Sequence, residues 1–139
     1  MVFSTKNRVP LIDRKVAPRL YAYVGGIADN LGAKVVAAGG TADHVHLLVS
    51  LGKTTSTAGA VRTIKSNSSG WVHKTYAKMR DFAWQTGYGA FAVSYSNLDQ
   101  VKRYIADQEE HHRVRTFREE FLALLERHNI QYDERYMWD

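Results

Sequence analysis

Cysteine is absent from the chain. That removes disulfides, thiolate nucleophiles and cysteine-based zinc or iron–sulfur centres in one step, so any bound metal must use histidine, carboxylate, amide or water. No apolar run approaches the roughly 20 residues that span a bilayer, and the amino terminus lacks the basic-then-apolar layout of a signal peptide. These absences point to a cytoplasmic protein with no membrane partner. Internal repeats, low-complexity tracts and linkers are also missing. The 139 residues are therefore read as one domain, 1–139, built on a single core. Hydrophobic residues at 45% and charged residues at 24% suit an ordered globular chain rather than a disordered one. The formal net charge of +5 could serve a polyanion such as nucleic acid or an anionic membrane surface, and charge alone selects neither.

Several segments carry readable periodicity. Val2-Phe3-Ser4-Thr5 is a short β-like run lacking a front half. Asp13 is placed to cap a helix whose apolar positions Val16, Leu20, Val24, Ile27 and Leu31 recur at helical spacing, with Gly32 placed to end it. Lys34 to Ala38 and His44 to Leu51 read as two strands joined by the turn-rich Gly39-Gly40-Thr41-Ala42-Asp43. The glycine pair could also cradle a phosphate, but no lysine-bearing phosphate-loop pattern follows it. A second helix runs from Thr54 or Ser56 to about Met79, with Ala58, Val61, Ile64, Trp71, Val72 and Tyr76 as its apolar stripe. Arg62, Lys65, Ser69 and His73 share another face, which is either solvated surface or a phosphate-contacting one.

Residues 81–89 form an aromatic loop in which Trp84 and Tyr88 could stack on bases or pin the loop to the core. Phe91 to Tyr95 alternates like a fourth strand. Ser96 or Asn97 then caps a helix over about Leu98 to Arg113, and Thr116-Phe117-Arg118-Glu119 is a capping-box start to another that buries Phe121, Leu124 and Leu125. The tail from Tyr132 to Asp139, with Tyr136 and Trp138, is too aromatic for a free end and is expected to dock on the body or on a partner. The order strand, helix, strand, strand, helix, strand predicts an α+β fold: a ferredoxin-like (RRM-like) split βαβ sheet with helices on one face, followed by C-terminal helices.

Chemistry concentrates in two places. In Asp43-His44-Val45-His46-Leu47-Leu48-Val49 the strand period of two puts both imidazoles on one face and Val45, Leu47 and Val49 on the other. Two partly buried strand histidines or a pair of metal ligands would look alike at this level. On the helix after the fourth strand, Tyr104, Gln108 and His111 share a face, among Lys102, Arg103, Arg113 and Arg115. Helix phase leaves open whether His111 or His112 faces the site. A tyrosine hydroxyl can cut a phosphodiester by transesterification, given an in-line approach, a cation on the non-bridging oxygens and basic residues on the flanking phosphates. Free tyrosine has a pKa of about 10, so the basic neighbours are expected to favour the phenolate. Two imidazole nitrogens and an amide oxygen suit Mn²⁺ or Mg²⁺ in a working site better than a closed structural zinc.

Taken together, Val2-Phe3-Ser4-Thr5-Lys6-Asn7-Arg8, Asp43-His44-Val45-His46, residues 82–91 (Phe-Ala-Trp-Gln-Thr-Gly-Tyr-Gly-Ala-Phe), residues 104–112 (Tyr-Ile-Ala-Asp-Gln-Glu-Glu-His-His) and the closing Glu134-Arg135-Tyr136-Met137-Trp138-Asp139 span nearly the whole chain in order. In these pieces the sequence resembles the single-tyrosine transposases of the IS200/IS605 insertion-sequence family, within the His-hydrophobic-His (HUH) superfamily of single-stranded DNA nucleases. The resemblance implies a DNA strand-cleaving and strand-joining enzyme. Tyr104 would be the nucleophile and His44, His46 and Gln108 the ligands of a divalent metal ion, Mg²⁺ or Mn²⁺. It further implies a homodimer, with the tyrosine helix of one subunit able to complete the other's site, acting on single-stranded element ends that form hairpins. Arg62, Lys65, Trp84, Tyr88, Lys102, Arg103, His111 and His112 are the candidate DNA contacts. Two alternatives remain at this level: a non-catalytic single-stranded nucleic-acid-binding module on the same fold, and a phosphohydrolase that activates water while Tyr104 merely packs.

Overall fold

The computed structural model describes residues 1–134 and 137–138; Tyr136 of the aromatic tail lies outside them. Strands β1 (Val2–Ser4), β2 (Lys34–Thr41) and β3 (His44–Ser50) form an antiparallel sheet in the order β1-β3-β2. Around it lie helices α1 (Val16–Asn30), α2 (Thr57–Thr75), α3 (Leu98–Ala106), α4 (Gln108–His111) and α5 (Phe117–Arg127). The class is the expected α+β.

Local signals explain most of the boundaries. Asp13 Oδ1 accepts the backbone N–H groups of Lys15 and Val16 at 2.9 and 2.8 Å, which satisfies donors that the first turn leading into α1 would leave orphaned. At the other end Gly32 adopts φ +74°, the left-handed stop that glycine tolerates without a Cβ penalty. Ser56 Oγ accepts Gly59 N–H at 3.0 Å to start α2, and Thr116 Oγ1 accepts Glu119 N–H at 3.2 Å to start α5.

Three expectations are corrected. Gly39 and Gly40 lie inside β2, and the hairpin turn is only Ala42-Asp43. The reason is tertiary: a Cβ on Gly39 would stand 2.3 Å from the carbonyl oxygen of Ile105, so glycine lets α3 settle directly on the strand. Phe91 to Tyr95 is not a strand. Instead, bridges Thr5↔Trp84 and Val2↔Gly89 bring residues 84–89 antiparallel along the outer edge of β1, while Phe91 packs with Val2, Phe117 and Phe121. This segment occupies the fourth-strand position of the split βαβ layout. Finally, the expected continuous helix over 98–113 breaks at Asp107, whose φ/ψ of −97°/22° separates α3 from α4.

The sheet has two covered faces. Phe3, Val45 and Leu47 point to one, where Leu20, Val24 and Ile27 of α1 and Ile64 and Val72 of α2 complete the main core. Fully burying one such side chain is worth about 1.5–3 kcal/mol. In the α2 stripe Ala58 proves exposed, and Ala60 and Ser68 are buried instead. The pairings Val2↔His46 and Ser4↔His44 place both histidines on the opposite face, which the C-terminal helices cover. There Phe117, Phe121 and Leu125 of α5 form a second cluster with Val2, and Met137 and Trp138 of the tail dock on it as expected.

Candidate active site

Strand β3 delivers His44 and His46 side by side, ring centroids 5.3 Å apart, both nearly devoid of solvent exposure. His44 is oriented from behind. Its Nδ1 lies 2.8 Å from Asp43 Oδ1, and Thr41 Oγ1 donates to the same carboxylate at 3.0 Å. Burial would raise the Asp43 carboxyl, but the hydrogen bonds from His44 and Thr41 outweigh it and hold the group below its usual range. An ionised carboxylate only accepts, so Nδ1 of His44 carries a proton and Nε2 is the nitrogen turned to the interior. Gln108 Oε1 sits 3.0 Å from that nitrogen, and its amide orientation is set by Nε2, which donates to the carbonyl of Tyr104 at 3.2 Å. With a neutral ring protonated at Nδ1, the imidazole nitrogen and the amide oxygen are two donor atoms that a bound cation could share.

Sequence reasoning missed the group that completes the cluster. Glu120 of α5 is 1% exposed, and its Oε1 lies 2.8 Å from His46 Nε2, 3.2 Å from His112 Nε2 and 3.8 Å from His44 Nε2. One donor atom from each of His44, His46, His112 and Glu120 falls within 4.8 Å of all the others. His112 Nε2 is buried without an aligned hydrogen bond. Burial lowers the His46 pKa, more than Glu120 raises it, which favours the neutral imidazole that a metal requires. Burial alone would raise Glu120, but His112, His46 and Tyr104 together hold its carboxyl well below the ordinary range. The histidine, amide and carboxylate donors converge as a mixed N/O site, and the residues fit a divalent cation. One sequence signal pointed to Glu120: it shares the i, i+3, i+4 face with Phe117 and Phe121, where a carboxylate has no apolar role.

Tyr104 lies beside this cluster. Its hydroxyl donates to Glu120 Oε2, and its ring stands edge-on to His46 at 5.7 Å and tilts over His111 at 4.6 Å. Helix phase is thereby resolved: His111 flanks the tyrosine and His112 faces the histidine pair, with its ring 4.3 Å from that of His44. The expectation of a phenolate favoured by basic neighbours is corrected. Burial first, and then the hydrogen bond and charge of Glu120, push the Tyr104 hydroxyl up to about 12. Lys102 and Arg103 are exposed and do not reverse this.

The remaining candidates divide. Trp84 is buried between the edges of Phe3 and Phe82, both at 4.9 Å, and donates Nε1–H to Ser68 Oγ, so it has no face to offer a base. Lys65 Nζ donates to the carbonyls of Gln85, Thr86 and Gly87 at 2.9, 3.3 and 2.5 Å, and His73 to that of Phe82 at 2.7 Å. The polar face of α2 therefore holds the aromatic loop. Arg62 and Tyr88 are exposed. A cleft of about 600 Å³ opens beside the cluster, lined by Arg14, Thr41, Asp43, Glu110, His112 and Arg113 among others.

Comparison with known proteins places this geometry. A family model described as IS200-like transposase matches residues 1–108, a stretch that ends on Gln108 and leaves out His112 and Glu120. The crystal structure of a protein from Deinococcus radiodurans R1 with a provisional transposase assignment superposes with a TM-score of 0.64 at 24% identity, over 77% of this chain and 86% of that one. At that identity the likeness is one of fold. No curated protein sequence matches significantly.

Proposed function

The chain belongs to the IS200-like transposase family, and from that premise we propose that its single domain, 1–139, cleaves and rejoins single-stranded DNA through a 5′-phosphotyrosine on Tyr104. The observation that carries the reading is the convergence of His44, His46, Gln108 and the Tyr104 hydroxyl from three elements of one chain, next to a cleft bearing Arg14 and Arg113. The Tyr104 oxygen forms a bond to phosphorus as the bond to the 3′ oxygen breaks, and the proton lost by tyrosine is matched by the one gained on the released 3′-hydroxyl. Rejoining runs the same exchange in reverse with a different 3′-hydroxyl. A divalent cation held by His44, His46 and Gln108, Mg²⁺ or more favourably Mn²⁺ given the imidazole donors, would polarise the non-bridging phosphate oxygens and offset the high pKa of the tyrosine. Asp43 fixes the His44 tautomer, Gln108 ties the α3–α4 break to the histidine pair, and the exposed Arg62, Tyr88, Lys102 and Arg103 are left to hold the flanking strand. The substrate is read as hairpin-bearing element ends acted on by a homodimer, and each subunit is able to supply Tyr104 to its own histidines.

The test is a covalent adduct. The protein is incubated with Mn²⁺ and single-stranded oligonucleotides carrying candidate hairpin ends, then run on denaturing gels. Wild type gives a shifted protein–DNA band and Tyr104→Phe gives none. Cleavage that persists in Tyr104→Phe would move the reading to a phosphohydrolase that activates water, and binding with no cleavage at all would move it to a binding module.

A further inference from the structure

The family match stops at Gln108, yet the side chain most central to the cluster comes twelve residues later. A buried carboxylate costs several kcal/mol unless every lone pair is used, and at the Phe117–Phe121 stripe an apolar residue would stabilise α5 more cheaply. Glu120 uses both oxygens. Oε1 points at the imidazoles of His44, His46 and His112, and Oε2 takes the Tyr104 hydroxyl. We propose that Glu120 is the positioning residue of the nucleophile: a rigid planar carboxylate, anchored by α5, that holds the Tyr104 hydroxyl a fixed short distance from the cation-binding histidines. This rests on the reading of Tyr104 as nucleophile.

The anchoring of α5 supports this role. Phe117 lies against the ring of His44 at 4.8 Å and stacks on Phe121 at 5.5 Å, and Trp138 of the tail closes over both at 6.4 and 5.9 Å. The Thr116 cap fixes the start of the helix one turn before Glu120. Tyr104, by contrast, is half-buried near the end of α3, where the helix breaks within three residues. The rings of His46 and His111 flank its own ring. Gln108 also bears on the hydroxyl but follows directly on the same helix break, so the carboxylate is the polar partner anchored on a separate helix.

Two readouts on the full-length protein test the proposal, the first without DNA. With 3-fluorotyrosine placed at position 104, the ¹⁹F resonance reports the surroundings of the ring. Glu120→Ala should shift it. Glu120→Gln, which keeps an acceptor oxygen, should leave it near the wild-type position. Added Mn²⁺ should broaden it in wild type. The second readout is the rate of adduct formation. Glu120→Ala should lower kcat by about 10- to 100-fold, the cost of a nucleophile misplaced by about an ångström, with KM for the oligonucleotide unchanged and partial rescue in Glu120→Gln. Circular dichroism establishes folding, and Glu120→Leu, which fills the volume, takes the place of Glu120→Ala if that variant does not fold. An unshifted resonance in a folded Glu120→Ala or Glu120→Leu overturns the proposal, as does a wild-type resonance indifferent to Mn²⁺. If wild type forms no adduct while the resonance behaves as stated, the function assigned to Tyr104 fails and its tether to Glu120 stands.

Discussion

The two faces of the sheet are equally dry and differently employed. On one, Phe3, Val45 and Leu47 meet α1 and α2; on the other, Ser4, His44 and His46 meet α3, α4 and α5. Neighbouring residues of the same strands serve both: His44 is 0% exposed and Leu47 is 2% exposed. Burial therefore does not separate core from site. Polar satisfaction does: the apolar face gains by removing hydrocarbon from water, whereas the other face must find a partner for each nitrogen and oxygen it hides. Such a face adds less net stability per residue, and it holds reactive groups in fixed relation to one another.

Opposite variants should break this symmetry in opposite currencies. The largest expected effect is His44→Ala, which removes the nitrogen facing Gln108. Mn²⁺-dependent adduct formation should fall by more than about 100-fold, beyond the upper end for losses one shell further from a metal. Affinity for single-stranded DNA should change little, because phosphate contacts dominate it. Filter binding and gel assays measure the two separately. Next is Leu47→Ala, three residues along on the apolar face. It should cost about 2–5 kcal/mol in urea denaturation and leave the activity of the folded fraction intact. A Leu47→Ala protein of normal stability and low activity would erase the distinction between the faces.

Gly39→Ala probes the boundary, because Gly39 pairs with His46 on the site face. A methyl group there meets the Ile105 carbonyl oxygen at 2.3 Å, so α3 must lift from β2. Overpacking of this kind costs about 1–3 kcal/mol. Since Tyr104 rides on α3, both the denaturation midpoint and the adduct rate should fall, and a loss confined to stability would show that α3 tolerates displacement without carrying the tyrosine away.

Much of this was legible from local signals. The period-two placement of His44 and His46, the Asp13, Ser56 and Thr116 caps and the Gly32 stop each depend on a few adjacent residues, and each appears where the sequence puts it. Features that depend on distant segments were not legible. Gly39 and Gly40 read as a turn because glycine signals both turns and close approaches, and only the landing of α3 tells which applies. Residues 84–89 gained the edge position through hydrogen bonds to β1, among them Ser4 N–H to Gln85 Oε1 at 2.7 Å, that no alternation pattern encodes. Trp84 looked available for stacking until Phe3, Phe82 and Ser68 enclosed it. Glu120 broke the apolar stripe of its helix, a local conflict of the kind functional sites produce, but naming its partners required the fold.

The smallest effect belongs to a residue that serves the apolar face without lying in it. Asp13 accepts the N–H groups of Lys15 and Val16, and the following helix buries Val16, Leu20, Val24 and Ile27 in the main core with Phe3, Val45 and Leu47. In Asp13→Ala those two donors turn to water at little cost in enthalpy, so the loss should be near the usual value for a helix cap, about 1 kcal/mol. The sheet register is set by strand pairing and the site by α3 to α5, so neither moves. Adduct formation at a temperature where the variant is folded should match wild type, while the urea midpoint should drop with an unchanged slope. A change in slope would mean that α1 frays in the native state. The apolar face would then depend on its cap for order as well as for stability.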